Sequence, residues 1–337
     1  MLNLRRREFI LALGGAAASS VSWSLAAHAQ QPEGMRRIGV FVNLAEGDRE
    51  GQRSVQAFQN GLRELGWIEG RNIHVDYRWS PGADTSRIRA IAADLVASTP
   101  SLILASATEG LAAFRDATRT IPIVFVSVSD PVGQGFVPNL ARPGGNITGF
   151  TAFEFSMGGK WIEILKEMAP RLARVAVLFN PKTAPYFASF LGSIEAGAAS
   201  VGLPWISTPV TDVAEIEPTI AAFARERDGG LICPSDSFTS VHRKRIIALA
   251  ARHQLPAIYT WREFAPDGGL VTYGIDRVDL YRRAAPYVDR ILRGARPGDL
   301  PIQQPTKFEL VINLKTAKAL GLESPPSLLV RADEVIE

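Results

Sequence analysis

The chain has 337 residues, 46% of them apolar and 21% charged, with a formal net charge of +3. That composition belongs to a folded globular protein, and one cysteine, Cys233, excludes a scaffold stapled by intrachain disulfides. Much of the positive balance lies in Arg5, Arg6 and Arg7 against Glu8, so the remainder is near +1 and carries no electrostatic signature of nucleic-acid binding.

Residues 1–29 have the order of an export signal: the arginines, an apolar run from Leu11 to Ala18, and a small-residue exit at Ala27-His28-Ala29. Cleavage after Ala29 is expected, leaving Gln30 as the new N-terminus. The pair Arg6-Arg7 and the diluting Gly14 and Gly15 fit the twin-arginine type, whereas Arg5 and the lack of Lys after Ile10 depart from it and leave the general secretory route open. An apolar run of about ten residues is half of what a membrane span needs. No cysteine stands at position 30 to take a lipid. The expected product is therefore periplasmic, without a membrane anchor, and monomeric.

About 308 residues would remain, more than one ordinary core holds, which suggests two lobes. In chain order, strands are expected at Ile38 to Val42, Ile73 to Tyr77, Leu102 to Ala105, Ile123 to Val126 and Ile147 to Phe150. A second set follows at Val175 to Phe179, Trp205 to Ser207, Gly230 to Cys233, Ala257 to Tyr259 and Leu270 to Tyr273. Amphipathic helical stretches alternate with them, among them Ser54 to Leu65, Ser86 to Val96, Gly158 to Met168, Phe187 to Ser200, Thr239 to His253 and Leu280 to Leu292, with a last helix at Glu309 to Leu320. The fold class is α/β, with two Rossmann-like lobes around parallel sheets of about five strands each. The expected N-terminal lobe is 36–150, completed by 276–300, and the C-terminal lobe is 151–275, completed by 301–337. Such repeated crossing makes a hinge, and hinged lobes commonly hold a ligand between them.

Catalytic and cofactor motifs are missing. There is no GxGxxG, no GxxxxGK[ST] loop, no HExxH and no GxSxG. Ser235-Asp236-Ser237 with His242 could be drawn as a hydrolytic group, but Arg243, Lys244 and Arg245 place His242 at an exposed helix end. No enzyme, cofactor or metal is expected.

The strand exits carry short polar side chains ahead of helix starts: Ser106, Ala107 and Thr108; Ser129 and Asp130; Asn180 with Tyr186 beyond; Asp236 and Ser237. In an open parallel sheet such loops face the ligand crevice. Helix N-termini and hydroxyls can take a carboxylate, and Asp130 or Asp236 can pair with an ammonium, which is the chemistry of an amino-acid site. The same residue types are the usual helix caps, so each has a structural role open to it. Tyr273 closes a strand before Gly274, from where a phenol could reach the cleft.

Several longer strings narrow the reading. Phe58-Gln-Asn-Gly-Leu-Arg-Glu-Leu-Gly-Trp67, Glu69-Gly-Arg-Asn-Ile73, Ser129-Asp-Pro-Val132, Leu140-Ala-Arg-Pro-Gly-Gly-Asn-Ile-Thr-Gly149, and the tail from Gln304 to Leu322 and Ser327 to Ile336 resemble the ABC transporter substrate-binding protein family, whose relatives include tryptophan- and tyrosine-binding proteins. The resemblance implies a type I periplasmic-binding fold that closes on a small solute and delivers it to a permease driven by an ATPase subunit. It also implies ligand contacts from Ser106 to Thr108, Ser129-Asp130, Asn180 with Tyr186, and Asp236-Ser237. The loop Asn43 to Gly47 departs from the pattern of the aromatic amino-acid binders, so the resemblance does not assign the side-chain end of the ligand. A ligand-binding partner of a sensor kinase or chemoreceptor would have nearly the same sequence, and neighbouring genes would separate the two.

Overall fold

The computed structural model describes residues 34–80, 84–152 and 154–337, so the expected signal segment and its cleavage point lie outside the described residues. The chain opens with β1 (Arg36–Val42), α1 (Arg49–Glu64), β2 (Ile73–Trp79), α2 (Thr85–Ala97), β3 (Leu102–Ser106), α3 (Ala107–Ala117), β4 (Ile123–Val128) and β5 (Ile147–Thr151). These five strands form one parallel sheet in the order β2-β1-β3-β4-β5. Its central strands are buried on both faces, which is why they read as unbroken β-branched runs. Alternation sends Ile38, Val40 and Val42 to one face, while Phe41 goes to the other and meets Phe114 of α3 edge-on at 5.8 Å.

The second half runs through α4 (Met157–Met168), β6 (Arg174–Phe179), α5 (Leu191–Ser200), β7 (Trp205–Pro209), α6 (Val213–Phe223), β8 (Gly229–Cys233), α7 (Ser237–Val241), α8 (Arg243–Arg252), β9 (Ala257–Tyr259) and β10 (Val271–Ile275). It is followed by α9 (Arg277–Leu292), β11 (Phe308–Asn313), α10 (Leu314–Ala319), α11 (Pro326–Arg331) and β12 (Glu334–Ile336). The second sheet has seven strands in the order β12-β11-β10-β9-β8-β6-β7, all parallel to their neighbours except that β11 runs antiparallel to β10. The expected α/β class with two mostly parallel sheets is thus what the chain forms.

The stretch from Glu309 to Leu320, expected as one helix, is instead β11 followed by the short α10. The apolar residues of Glu309 to Leu320 satisfy either period. The β-branched pair Val311-Ile312 favours the strand, and Asn313 then caps α10 by accepting from the Thr316 amide at 3.1 Å. The expected helix from Thr239 to His253 is likewise two helices, α7 and α8, meeting at His242.

After β10 the chain goes back to the first sheet, where α9 packs on α1, β4 and β5. Gly61 of α1 permits this contact, because a Cβ there would stand 2.8 Å from the Cβ of Ala285. Trp67 Nε1 donates to Asp289 Oδ1 at 2.8 Å, tying the two halves of the sequence together. Gln303 then pairs beside β5, donating to Gly149 O and accepting from Thr151 N, both at 2.9 Å, before the chain crosses again to β11. The chain therefore passes between the two sheets three times, between β5 and α4, between β10 and α9, and between Gln303 and β11.

Candidate functional site

The exits of strands from both sheets converge on one cavity of about 40 Å³. From the first lobe come Asn43 and Leu44 after β1, Ser106 to Glu109 at the start of α3, and Ser127 on β4; from the second come Tyr186, Ser235, Ser237, Ser240 and Trp261. Arg277 and Tyr281, at the start of α9, complete the lining. Outside it opens a cleft of about 820 Å³ that shares Asn43, Leu44, Ser237 and Ser240 with the cavity.

The lobes are tied together around this cavity. Asn43 Nδ2 donates to Ser237 Oγ at 3.0 Å, and Ser189 Oγ donates to Asp130 Oδ2 at 3.3 Å. Arg243 of α8 reaches Asp48 at the head of α1 through Nη2 at 2.9 Å and holds Asp267 of its own lobe through Nε at 2.7 Å. Glu263, in the 3-10 turn after β9, pairs with Arg277 at 3.1 Å. Burial, together with the negative charge of Glu263, raises the Glu50 carboxyl above its ordinary range.

Five of the residues expected at the site line the cavity: Ser106, Ala107, Thr108, Tyr186 and Ser237. Ser106 stands at the N-cap position of α3 without capping it; its Oγ accepts from the Asn43 amide at 2.8 Å and so fixes the loop after β1. Ala107 takes a left-handed φ of 63°, which turns the start of α3 toward the cavity. Tyr186 is buried, and its hydroxyl donates to Ser235 O at 2.9 Å. Burial, with the nearby Asp236 and Glu109 carboxyls, pushes its phenol up.

The other five are used elsewhere. Asp236 was expected to pair with a ligand ammonium, yet its oxygens accept from Asn180 N at 2.8 Å, Phe238 N at 2.9 Å and the Thr183 hydroxyl. It is a buried cap that binds the β6 and β8 exits together, with its carboxyl raised by desolvation to about 6. Asn180 closes its own turn, accepting from Lys182 N at 2.9 Å. Ser129 and Asp130 lie past the cavity because a bulge at Ser127, with φ 58°, shifts the strand end and presents Ser127 instead. Asp130 caps its own turn through the Gly133 amide at 2.8 Å. The alternation of β10 turns Tyr273 toward α4, where it stacks on Phe308 and lines a separate groove with Glu154, Lys160 and Glu163.

Sequence reasoning missed Glu109, Arg277, Asn43 and Ser127 as lining residues. Glu109 is the third residue of α3; burial raises its carboxyl to about 7 against hydrogen bonds from its own amide and from Ser237 that lower it. Its Oε1, the Ser127 Oγ and the Arg277 Nε are buried without a hydrogen-bond partner. The Arg277 guanidinium also lies 4.0 Å above the Trp261 ring. Among the described residues there is no cluster of three or more His, Cys, Asp or Glu side chains able to hold a metal ion, and no helix long and apolar enough to cross a membrane.

Two mostly parallel α/β sheets whose strand exits line one cavity are the architecture of the periplasmic-binding fold class. Residues 37–336 match the model of the family described as ABC transporter substrate binding protein, and the chain belongs to that family. It is 26% identical over 271 residues to a tyrosine-binding protein of Clostridioides difficile, covering 80% of this chain and 77% of the relative. Among solved structures, a conserved domain protein from Vibrio cholerae is 27% identical with a TM-score of 0.82, covering 90% of this chain and 100% of that one. A Streptococcus pneumoniae domain in complex with L-Trp shares the fold at 24% identity, the same TM-score of 0.82 and the same coverage. A ligand-free, open substrate binding protein from Clostridium difficile aligns at 24% identity with a TM-score of 0.68, covering 90% of this chain and 99% of that one.

Proposed function

We propose that this protein is the periplasmic solute receptor of an ABC importer, binding a small amino-acid-like or carboxylate ligand between its lobes and delivering it to the permease. The lobes in this reading are 36–150 with 276–300 and 151–275 with 301–337, and the receptor works as a monomer. The observation that carries it is the cavity at the strand exits of both sheets, closed by hydrogen bonds and an ion pair that run from one lobe to the other. Those links exist only when the lobes are together, so a ligand that touches both lobes draws an open and closed equilibrium toward closed. The name of the Clostridioides difficile relative and the L-Trp bound to the Streptococcus protein support an amino acid as the class of ligand. The closed form then presents both lobes at once to the permease, which is how a membrane partner can distinguish loaded from empty receptor.

Thermal unfolding of protein denatured and refolded to remove carried-over ligand, against amino acids, small carboxylates, amides and sugars, tests this. A ligand at about a hundred times its Kd contributes roughly 2.7 kcal/mol and raises the midpoint by a few degrees. A rise with amino acids is expected. A rise with sugars alone, or with none of the panel, would overturn the assignment.

A further inference from the structure

We propose that closing of the lobes takes up a proton at a buried carboxyl pair, Glu50 of the first lobe and Glu263 of the second, so that acid favours the closed receptor before any solute arrives. The proposal rests on the receptor reading above for its two lobes and two states, and adds the proton as a second input to them.

Elsewhere the lobes meet through opposite charges. Arg243 reaches Asp48, and Arg277, carried onto the first lobe by α9, stands 3.1 Å from Glu263. At one place like meets like. Glu50, in the first turn of α1, and Glu263, in the 3-10 turn after β9, line the same cleft and are only 5% and 7% exposed. Three of their four carboxyl oxygens, Glu50 Oε1 and both of Glu263, are buried without a hydrogen-bond partner, since Arg277 is paired with Glu263 in charge but outside hydrogen-bonding geometry. Buried polar atoms are nearly always satisfied, and two ionised carboxyls offer acceptors alone. A proton on one of them supplies the missing donor.

The surrounding charges decide which acid takes it. On α1, Arg53 Nη1 donates to Glu50 Oε2 at 2.9 Å and leaves Oε1 open. In the 3-10 turn, Arg262 is drawn away to Glu309 at 3.3 Å and to Glu334. Arg243 of α8 is held by Asp48 and Asp267, and Arg277 stays with Glu263. Glu50 is therefore the acid left to protonate. Burial, and after it the charge of Glu263, raises its carboxyl above the ordinary 4.5, while Arg277, Arg53 and Arg262 offset only part of that rise. Both causes depend on the lobes being together. When they part, water reaches the carboxyl, Glu263 leaves with its lobe, and Arg277 remains on the side of Glu50 with its own partner gone. The closed form thus binds the proton more tightly than the open form, and by linkage acid draws the population toward closed.

The test is small-angle X-ray scattering of the refolded, stripped protein from pH 8 to pH 5 with no solute present, fitted as a mixture of open and closed forms. The closed-to-open ratio should rise by at least about threefold over that range, and by at most about tenfold per pH unit, the limit for one proton. Glu50→Gln places a neutral amide, with its own donor, where the protonated acid would stand. It should be as compact at pH 8 as the parent is at pH 5, and change little between the two. Glu109, raised to about 7 with Asp236 as its acidic neighbour, titrates in the same range, so Glu109→Gln is measured alongside and should keep the compaction below pH 7. Glu263→Gln removes the opposing charge while leaving Glu50 in place, and should lose most of the acid response even if Glu50→Gln does not fold. A parent whose scattering does not change with pH would overturn the proposal. So would a Glu50→Gln or Glu263→Gln protein that compacts on acidification as the parent does. The thermal panel reads the solute and the scattering reads the proton, so either can fail while the other stands.

Discussion

Replacing Asp48 by Asn should weaken ligand binding without weakening the fold. One oxygen of Asp48 caps α1 by accepting from Glu50 N at 3.0 Å and Gly51 N at 3.2 Å, while the other receives Arg243 Nη2 from the opposite lobe at 2.9 Å. Asn caps a helix as well as Asp does, so the substitution leaves α1 intact and removes only the charge that Arg243 meets. The side chains are 7% and 19% exposed, dry enough for a charge-assisted hydrogen bond to contribute about 1.5–3 kcal/mol. Arg243 keeps Asp267 at 2.7 Å whichever way the lobes stand, so the Asp48 contact alone belongs to the closed form. At 1.36 kcal/mol per decade, its loss reduces apparent affinity by about ten- to 150-fold. Calorimetric titration of Asp48→Asn, Arg243→Gln and the double variant, with the ligand found in the thermal panel, measures the coupling directly. Higher ionic strength should weaken the parent more than Asp48→Asn. An affinity within twofold of the parent for Asp48→Asn, or a coupling below about 0.5 kcal/mol, would refute the idea that this ion pair latches the closed state.

The remaining predictions concern stability. Glu109, raised to about 7 from an ordinary 4.5, binds an extra proton in the folded state; its stabilising protonated form is fully present below pH 4.5 and lost as pH rises through 7. Melting midpoints of ligand-free protein should therefore fall between pH 6 and 8 by the equivalent of about 1 kcal/mol, and Glu109→Gln should flatten that fall. Asp236 shifts the same way but only to about 6, so it contributes mainly below this window. Asp236→Ala strips the acceptor from Asn180 N, Phe238 N and the Thr183 hydroxyl, and should cost about 3 kcal/mol or more by denaturant titration while ligand affinity of the folded fraction stays close to the parent's. Gly61→Val pushes a side chain into Ala285 and should lower stability by about 1–3 kcal/mol, separating α9 from α1; an unchanged melting midpoint would mean that the two helices are not closely packed.

The alternation of strands and helices was legible because buried parallel strands such as Ile38 to Val42 and Ile123 to Val126 are continuous apolar runs that no amphipathic helix imitates. The same criterion failed at β11, where a six-residue segment with four apolar residues runs directly into a helix and only its pairing with β10 settles which period applies. The cavity was half legible. Strand exits announce themselves, and Ser106 to Thr108 stand on the cavity wall. Arg277 was not legible, since it reaches the site only because α9 crosses back to the first lobe, a matter of topology between residues far apart in the chain. Nor was Ser127, because a bulge leaves no mark on composition.

The two acids near the cavity show why residue type at a helix start does not identify a ligand contact. Asp236 precedes α7 at the cap position, and a side chain that short folds back onto the amide of Phe238. Every lone pair it turns toward its surroundings then meets a donor from its own lobe. Glu109 lies three residues past the cap position of α3, one methylene longer, with its own amide satisfying part of the carboxylate and Oε1 left over. In α3 the true cap position belongs to Ser106, whose hydroxyl serves Asn43, so the helix start is left to Glu109. That occupation changes the sign of the site. The N-terminus of α3, which by itself would attract a carboxylate, already carries one, and what it offers a ligand is a negative pole.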